Sequence, residues 1–256
     1  MSVERLASAL RKAYQKREAF EITPEHIPAS LEEAYAVADA LVEDAVVIGW
    51  KVGATTIEGQ KFLNIKAPFS GRIFARTLYH SPAVWPLRHE PISVEPEIGF
   101  LLGQDLVDLG QPYDVHTILP AIKAVVPMLE VNWSCYIDPF KFGGLPLVAA
   151  NGVNVGVIVG PSVFDWGPET AKQAKVFVSC NNNVVEQGQG SIVLGDPLNA
   201  LVWLANHGVQ NGQILRAGQY IAPGALTRLV HVQLGDQITA DFGALGKVSV
   251  TISSAP

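Results

Sequence analysis

The chain has 256 residues and a formal net charge of −6, and it is 48% hydrophobic and 16% charged. That is apolar enough for a sizeable core and too sparsely charged for disorder. The acidic balance, with no Lys/Arg cluster, excludes nonspecific nucleic-acid binding. The two cysteines, Cys135 and Cys180, form no C-x-x-C pair, which excludes a zinc ribbon and a disulfide scaffold.

The opening residues lack the pattern of a signal peptide. Residues 4–18 then place Leu6, Leu10 and Tyr14 four apart, the stripe of an amphipathic helix. Phe20 to Pro28 reads as a loop. Ser30 with Glu33 makes a capping box for a second helix, with Ala34, Ala38, Leu41 and Val42 inward. Val46 to Val52 predicts a strand, and Thr55 with Glu58 a capping box for a short helix over Ile57 to Leu63. Lys51 ends that strand among apolar neighbours. Such a lysine snorkels to the surface, pairs with an acid or shifts its pKa.

Pro68 to Phe74 leads from a turn into a strand, and Ser93 to Leu102 is a further strand with Glu95 and Glu97. Side chains alternate along a strand, so both acids share one face. They are either two solvated acids or two ligands of a hard divalent cation. Pro96 between them suggests an edge or a bulge. Asp114 caps an expected helix from Val115 to about Val126, kinked at Pro120 and stopped by Pro127, before a strand over Met128 to Trp133. Glu130 in that apolar run needs a partner or a raised pKa, and is the third carboxylate placed at the metal.

Leu145 to Gly160 is very apolar but broken by Pro146, Asn151, Asn154 and glycines, and is too short to span a bilayer. A loop at Ala150 to Gly152 leads into a strand over Val153 to Val159. Lys175 to Ser179 and Val184 to Gln187 form a hairpin about Asn181 to Asn183, and Asp196-Pro197 opens a helix to about His207. Strands over Gln219 to Ala222, Leu229 to Leu234, Gln237 to Phe242 and Lys247 to Ile252 close the chain. No dinucleotide loop, kinase set, zincin pair or nucleophile elbow is present. Helices early and many short strands late predict an α+β fold on a curved, mixed sheet. The expected organisation is one domain over 1–256, with a mainly helical section at 1–75 covering a mixed β core at 76–256.

Several segments together carry a family resemblance: Ile48 to Thr55, Val94-Glu95-Pro96-Glu97-Ile98, Pro127 to Val131, Gly195-Asp196-Pro197-Leu198 with Trp203 to Asn206, and the closing Gly218 to Ile252. They resemble the fumarylacetoacetate hydrolase superfamily, in its branch of 2-keto-4-pentenoate hydratases and 4-oxalocrotonate decarboxylases. The resemblance implies a β-roll core and a Mg²⁺ or Mn²⁺ ion held by Glu95, Glu97 and Glu130. It makes Lys51 catalytic, and Thr55 and Asn151 are placed as substrate contacts. It implies a small 2-oxo or 2-hydroxy-dienoate substrate of aromatic meta-cleavage catabolism. A cytoplasmic homo-oligomer free of membrane and nucleic acid is expected, possible also in complex with a sister hydratase or decarboxylase. Hydratase is the leading activity; a decarboxylase, a diketo-acid C–C hydrolase and an inactive accessory subunit are the alternatives. The chain departs from the branch at Phe69, after Pro68, where many hydratases have an aspartate, and at Ala150, before Asn151, where an Asp-Asn pair is common.

Overall fold

A computed structural model describes residues 2–42 and 45–255; Met1, Glu43, Asp44 and Pro256, at the ends and in one connection of the expected domain, lie outside the described residues. Two helices come first, α1 (Val3–Lys16) and α2 (Leu31–Leu41), capped by Ser2 and Ser30 as helix starts require. Then follow β1 (Val47–Gly53), α3 (Ile57–Phe62), β2 (Phe69–Phe74), β3 (Leu78–His80), β4 (Ala83–Leu87), β5 (Ile92–Leu102), α4 (Val115–Ile118), β6 (Ile122–Asn132), α5 (Leu145–Ala149) and β7 (Asn154–Val159). The remainder is α6 (Thr170–Gln173), β8 (Lys175–Cys180), β9 (Asn183–Gln189), α7 (Pro197–Gln210), β10 (Tyr220–Ala222), β11 (Val230–Val232), β12 (Gln237–Asp241) and β13 (Lys247–Ser254).

The strands form two mixed sheets. The larger has the order β2-β1-β10-β5-β6-β7-β3, with β11 also on β5; the smaller has the order β4-β13-β12-β8-β9. Residues of α1 and α2, among them Leu6, Leu10 and Val37, share one apolar core with strand residues such as Val94, Phe100 and Val131. Strands β1 and β2, inside the section expected to be mainly helical, are members of the larger sheet.

The larger sheet curls strongly. Three strand spacings, roughly 14 Å, would separate β1 from β6 in a flat sheet, yet Lys51 of β1 lies 3.3 Å from Glu130 of β6. The curl is stitched across its open side. The Asn151 amide accepts from Arg72 N at 2.7 Å and donates to Arg72 O at 3.0 Å, binding β2 to the turn before β7 as a further strand would. That turn holds Asn151, Gly152 and Val153 at positive φ. In a β-branched residue such as Val153 the left-handed conformation costs roughly 1–2 kcal/mol.

Three local expectations are corrected, and one helical turn is added. The expected helix from Val115 stops at Ile118, and β6 runs from Ile122 through Pro127. Pro120 breaks the helix, and the branched Ile122, Val125 and Val126 favour strand. Pro127 is tolerated there because its missing N–H faces the side of β7 just past that strand's end, where its carbonyl accepts from Gly160 N. Strand β5 is neither an edge nor bulged at Pro96: β6 flanks one side, while β10 and β11 share the other. The missing N–H of Pro96 falls in the gap between those two, where its carbonyl accepts from Leu226 N at 2.9 Å. The cap of α3 is Thr56, which accepts from Gly59 N, and not Thr55. Finally, the apolar run at Leu145 is a helical turn with Pro146 in its first turn.

Candidate metal centre and its cleft

The centre begins with strand register. Strands β5 and β6 are antiparallel, with Glu95 opposite Glu130 and Glu97 opposite Met128. Opposed residues share a face, as do alternate residues of one strand, so the three carboxylates emerge together. Their ligand oxygens lie within 4.8 Å of one another. Glu97 and Glu130 are each 1% exposed, and Glu95 is partly open to the cleft.

Three buried acids in so small a volume repel. Burial, reinforced by the Glu130 charge, pushes Glu95 up to about 7. The same causes, with Glu95 added, hold Glu97 well above the carboxylate range. Lys51, only 4% exposed, does not snorkel: its ammonium sits on Glu130. Burial pulls its pKa down, but the charges of Glu130, Glu95 and Glu97 outweigh that and raise it above the usual lysine value. One ammonium cannot balance three carboxylates, which is why the lysine stays charged while Glu95 and Glu97 resist ionising.

Each carboxylate has one oxygen anchored by the protein. Asn132 Nδ2 donates to Glu95 Oε2 at 2.8 Å, Asn154 Nδ2 to Glu130 Oε1 at 2.7 Å, and Gly224 N to Glu97 Oε2 at 2.7 Å. Gly224 has φ +133, and a Cβ there would lie 2.2 Å from Thr55 Oγ1. Only glycine brings that N–H to Glu97 past Thr55. The second oxygen of each acid is left for a ligand, and the carbonyl ends of Asn132 and Asn154 are buried without a donor. An all-oxygen set with surplus negative charge and spare acceptors fits a hard divalent cation and its waters. Asn132, Asn154 and Gly224 were not foreseen as supports; Asn132, two residues after Glu130 on the same face, was the readable signal.

The cleft over these acids has a volume of about 610 Å³ and is lined by Lys51, Thr55, Phe69, Trp133 and Gly152, among others. Thr55 is 6% exposed, freed for the cleft by the cap at Thr56. Gly152 lies against Lys51: a Cβ there would be 3.4 Å from Nζ. Asn151 is placed differently from expectation. Its amide is turned to the backbone of Arg72, so it orders the turn that carries Gly152 and does not face the cleft. Phe69, where the resemblance looks for an aspartate, puts its ring centroid 5.5 Å from Lys51 Nζ. Another hollow, beside the start of α1, is lined by surface residues such as Glu4, Arg5 and Lys12 and holds none of the three acids. No helix among the described residues is long and apolar enough to cross a membrane.

This chain is 32% identical over 233 residues to a 2-keto-4-pentenoate hydratase of Paraburkholderia xenovorans (strain LB400), covering 88% of this chain and 85% of that one. It is 31% identical over 217 residues to a 4-oxalocrotonate decarboxylase of a Pseudomonas species, covering 83% and 81%. Among solved structures, 4-oxalocrotonate decarboxylase from Pseudomonas putida G7, complexed with magnesium and adipate, superposes with a TM-score of 0.89 at 26% identity, over 98% of this chain and 97% of that one. The family model for the C-terminal part of fumarylacetoacetate (FAA) hydrolase matches residues 42–253. The chain therefore belongs to the fumarylacetoacetate hydrolase family.

Proposed function

We propose that this protein is a divalent-metal-dependent lyase of 2-hydroxy-dienoates and their 2-oxo tautomers, and that its reaction is hydration, as in a 2-keto-4-pentenoate hydratase of aromatic meta-cleavage catabolism. The observation that carries this reading is the trio of Glu95, Glu97 and Glu130 at the floor of a cleft, with one ammonium against three carboxylates. Glu95, Glu97 and Glu130 would hold Mg²⁺ or Mn²⁺ through the oxygens that Asn132, Asn154 and Gly224 leave free. A cation held there supplies Lewis acidity to the carboxylate and 2-oxo oxygens of the substrate.

Lys51 is the proton-bearing cation beside those oxygens. Its ammonium, held on Glu130 and packed under Gly152 and Phe69, donates to the 2-oxygen and exchanges a proton during ketonisation. Ketonisation moves the enol proton from the 2-oxygen to C5, and water then adds its hydroxyl to C4 and its proton to C3, so that 2-hydroxypenta-2,4-dienoate becomes 4-hydroxy-2-oxopentanoate. Thr55 lines the cleft near Gly224 as a polar contact for the substrate head. The apolar walls around Phe69 and Trp133 keep bulk water away, which strengthens each of these interactions. The decarboxylase reading is favoured by the near-complete superposition on 4-oxalocrotonate decarboxylase; it uses the same head-group chemistry and differs in the far end of the substrate.

The test is an ultraviolet assay with 2-hydroxypenta-2,4-dienoate and Mg²⁺, with and without a chelator. Loss of dienol absorbance with formation of 4-hydroxy-2-oxopentanoate, abolished by the chelator, is the expected result. Release of CO₂ from 4-oxalocrotonate without hydration would replace the hydratase by the decarboxylase. No turnover of either substrate would leave an accessory subunit.

A further inference from the structure

The far end of the cleft carries information about the substrate that the metal end does not. Large apolar side chains stand exposed around its rim: Phe62 is 66%, Ile137 68%, Phe140 43%, Ile192 49% and Leu229 38% exposed, and all five line this one cleft. The Phe62 and Phe140 rings are 5.5 Å apart, a ready-made aromatic edge. Exposed apolar surface gathered at one place marks where something apolar binds. Deeper in, the wall continues with Trp133, Leu147 and Val153.

Charge says the same. The basic side chains on the lining are Lys51, paired with Glu130, and His231, exposed on β11 opposite Ser93. Among the described residues no arginine and no second lysine line it. A carboxylate moved from water against Phe62, Ile137 and Phe140 would lose part of its hydration with no arginine or second lysine on the lining to replace it. A cleft of about 610 Å³ is also within the range that holds ligands larger than a five-carbon acid.

We propose that the substrate carries a neutral apolar tail, an alkyl chain of four or more carbons or an aryl group, beyond C1 and C2 of its 2-oxo acid head, and that the site rejects a second carboxylate at that end. This rests on the head-group reading given above, with the metal and Lys51 at one end and the tail laid along the rim toward Phe140.

The experiment measures binding of unreactive saturated 2-oxo acids to the Mg²⁺-loaded protein by calorimetry, using 2-oxobutanoate, 2-oxohexanoate, 2-oxooctanoate, 5-phenyl-2-oxopentanoate and 2-oxoadipate. Each buried methylene should tighten binding by up to about fourfold, so 2-oxooctanoate and the phenyl acid should bind at least about tenfold more tightly than 2-oxobutanoate. The dicarboxylate 2-oxoadipate should bind at least about tenfold more weakly than 2-oxohexanoate. Ile137→Arg, which places a cation on the rim, should narrow or reverse that last difference. A flat tail series, or 2-oxoadipate binding as well as 2-oxohexanoate, overturns the proposal while Mg²⁺-dependent binding of 2-oxobutanoate leaves the head-group reading standing. Tight 2-oxoadipate binding that disappears in His231→Ala would show His231 to be the missing cation and would also overturn it. If no 2-oxo acid binds in a Mg²⁺-dependent way, the head-group reading fails and the tail proposal falls with it.

Discussion

The two sheets of this molecule treat charge in opposite ways. Strands β12 and β13 of the smaller sheet alternate: Ile238, Ala240, Val248, Val250 and Ile252 are buried, while Gln237, Lys247 and the residues between are exposed or half-buried. Any apolar residue of similar volume would serve there. In β5 and β6 nearly every residue is buried, yet three acids interrupt the run on one face. Buried carboxylates crowded together oppose folding, so they persist where they hold something. The first sheet is architecture that tolerates exchange, and the second carries charges that do not.

The largest expected effect that would sharpen this contrast is on catalysis. Glu97→Gln should lower activity by at least about a thousandfold, roughly 4 kcal/mol of transition-state stabilisation, with Mg²⁺ affinity falling in parallel by calorimetry. The metal-free variant should melt no lower than metal-free wild type, because a buried carboxylate has become neutral. Mg²⁺ at a hundredfold excess over Kd should stabilise the wild type by about 2.7 kcal/mol and the variant by almost nothing. Unchanged activity in Glu97→Gln would remove that residue from the site and blur the contrast.

Next comes Lys51→Ala, expected to reduce kcat by about a hundredfold or more while weakening Mg²⁺ binding much less. Equal loss of both would make Lys51 structural. On the other side of the comparison, Ile238→Ala in the smaller sheet should destabilise by about 2–5 kcal/mol in denaturant unfolding, with Mg²⁺ affinity of the folded fraction unchanged. The smallest effect belongs to Asn151→Ala. Loss of two bonds to Arg72 should cost about 1–3 kcal/mol of stability and reduce activity only severalfold, through a looser Gly152 over Lys51. A collapse of activity at full stability would instead put Asn151 in contact with the substrate.

Much of this was legible in the residue string because it lay in local pattern. The stripe of Leu6 and Leu10, the cap at Asp196-Pro197 and the alternation in β13 are short-range signals, and each element appears where its signal stood. The spacing of Glu95 and Glu97 predicted their common face for the same reason. What stayed hidden depends on strand order. Pro96 looked like an edge because no short-range signal reveals that β10 and β11 leave a gap opposite it. Glu130 was expected at the metal and Lys51 as a candidate partner of an acid, but the register that sets Glu130 opposite Glu95 and the curl that brings Lys51 to it lie outside any local pattern. Asn151 read as a substrate contact until its partner across the curl, Arg72, was visible. The helix expected through Val126 failed because β-branched residues in a central strand outweighed an N-cap at Asp114.

The most direct measurement is a crystal soaked with Mn²⁺ and collected for its anomalous signal. A single strong peak is expected about 2.0–2.3 Å from one oxygen each of Glu95, Glu97 and Glu130, with Lys51 Nζ on Glu130 and outside the coordination sphere. No peak among these three carboxylates at saturating Mn²⁺, or a peak elsewhere in the molecule, would contradict it.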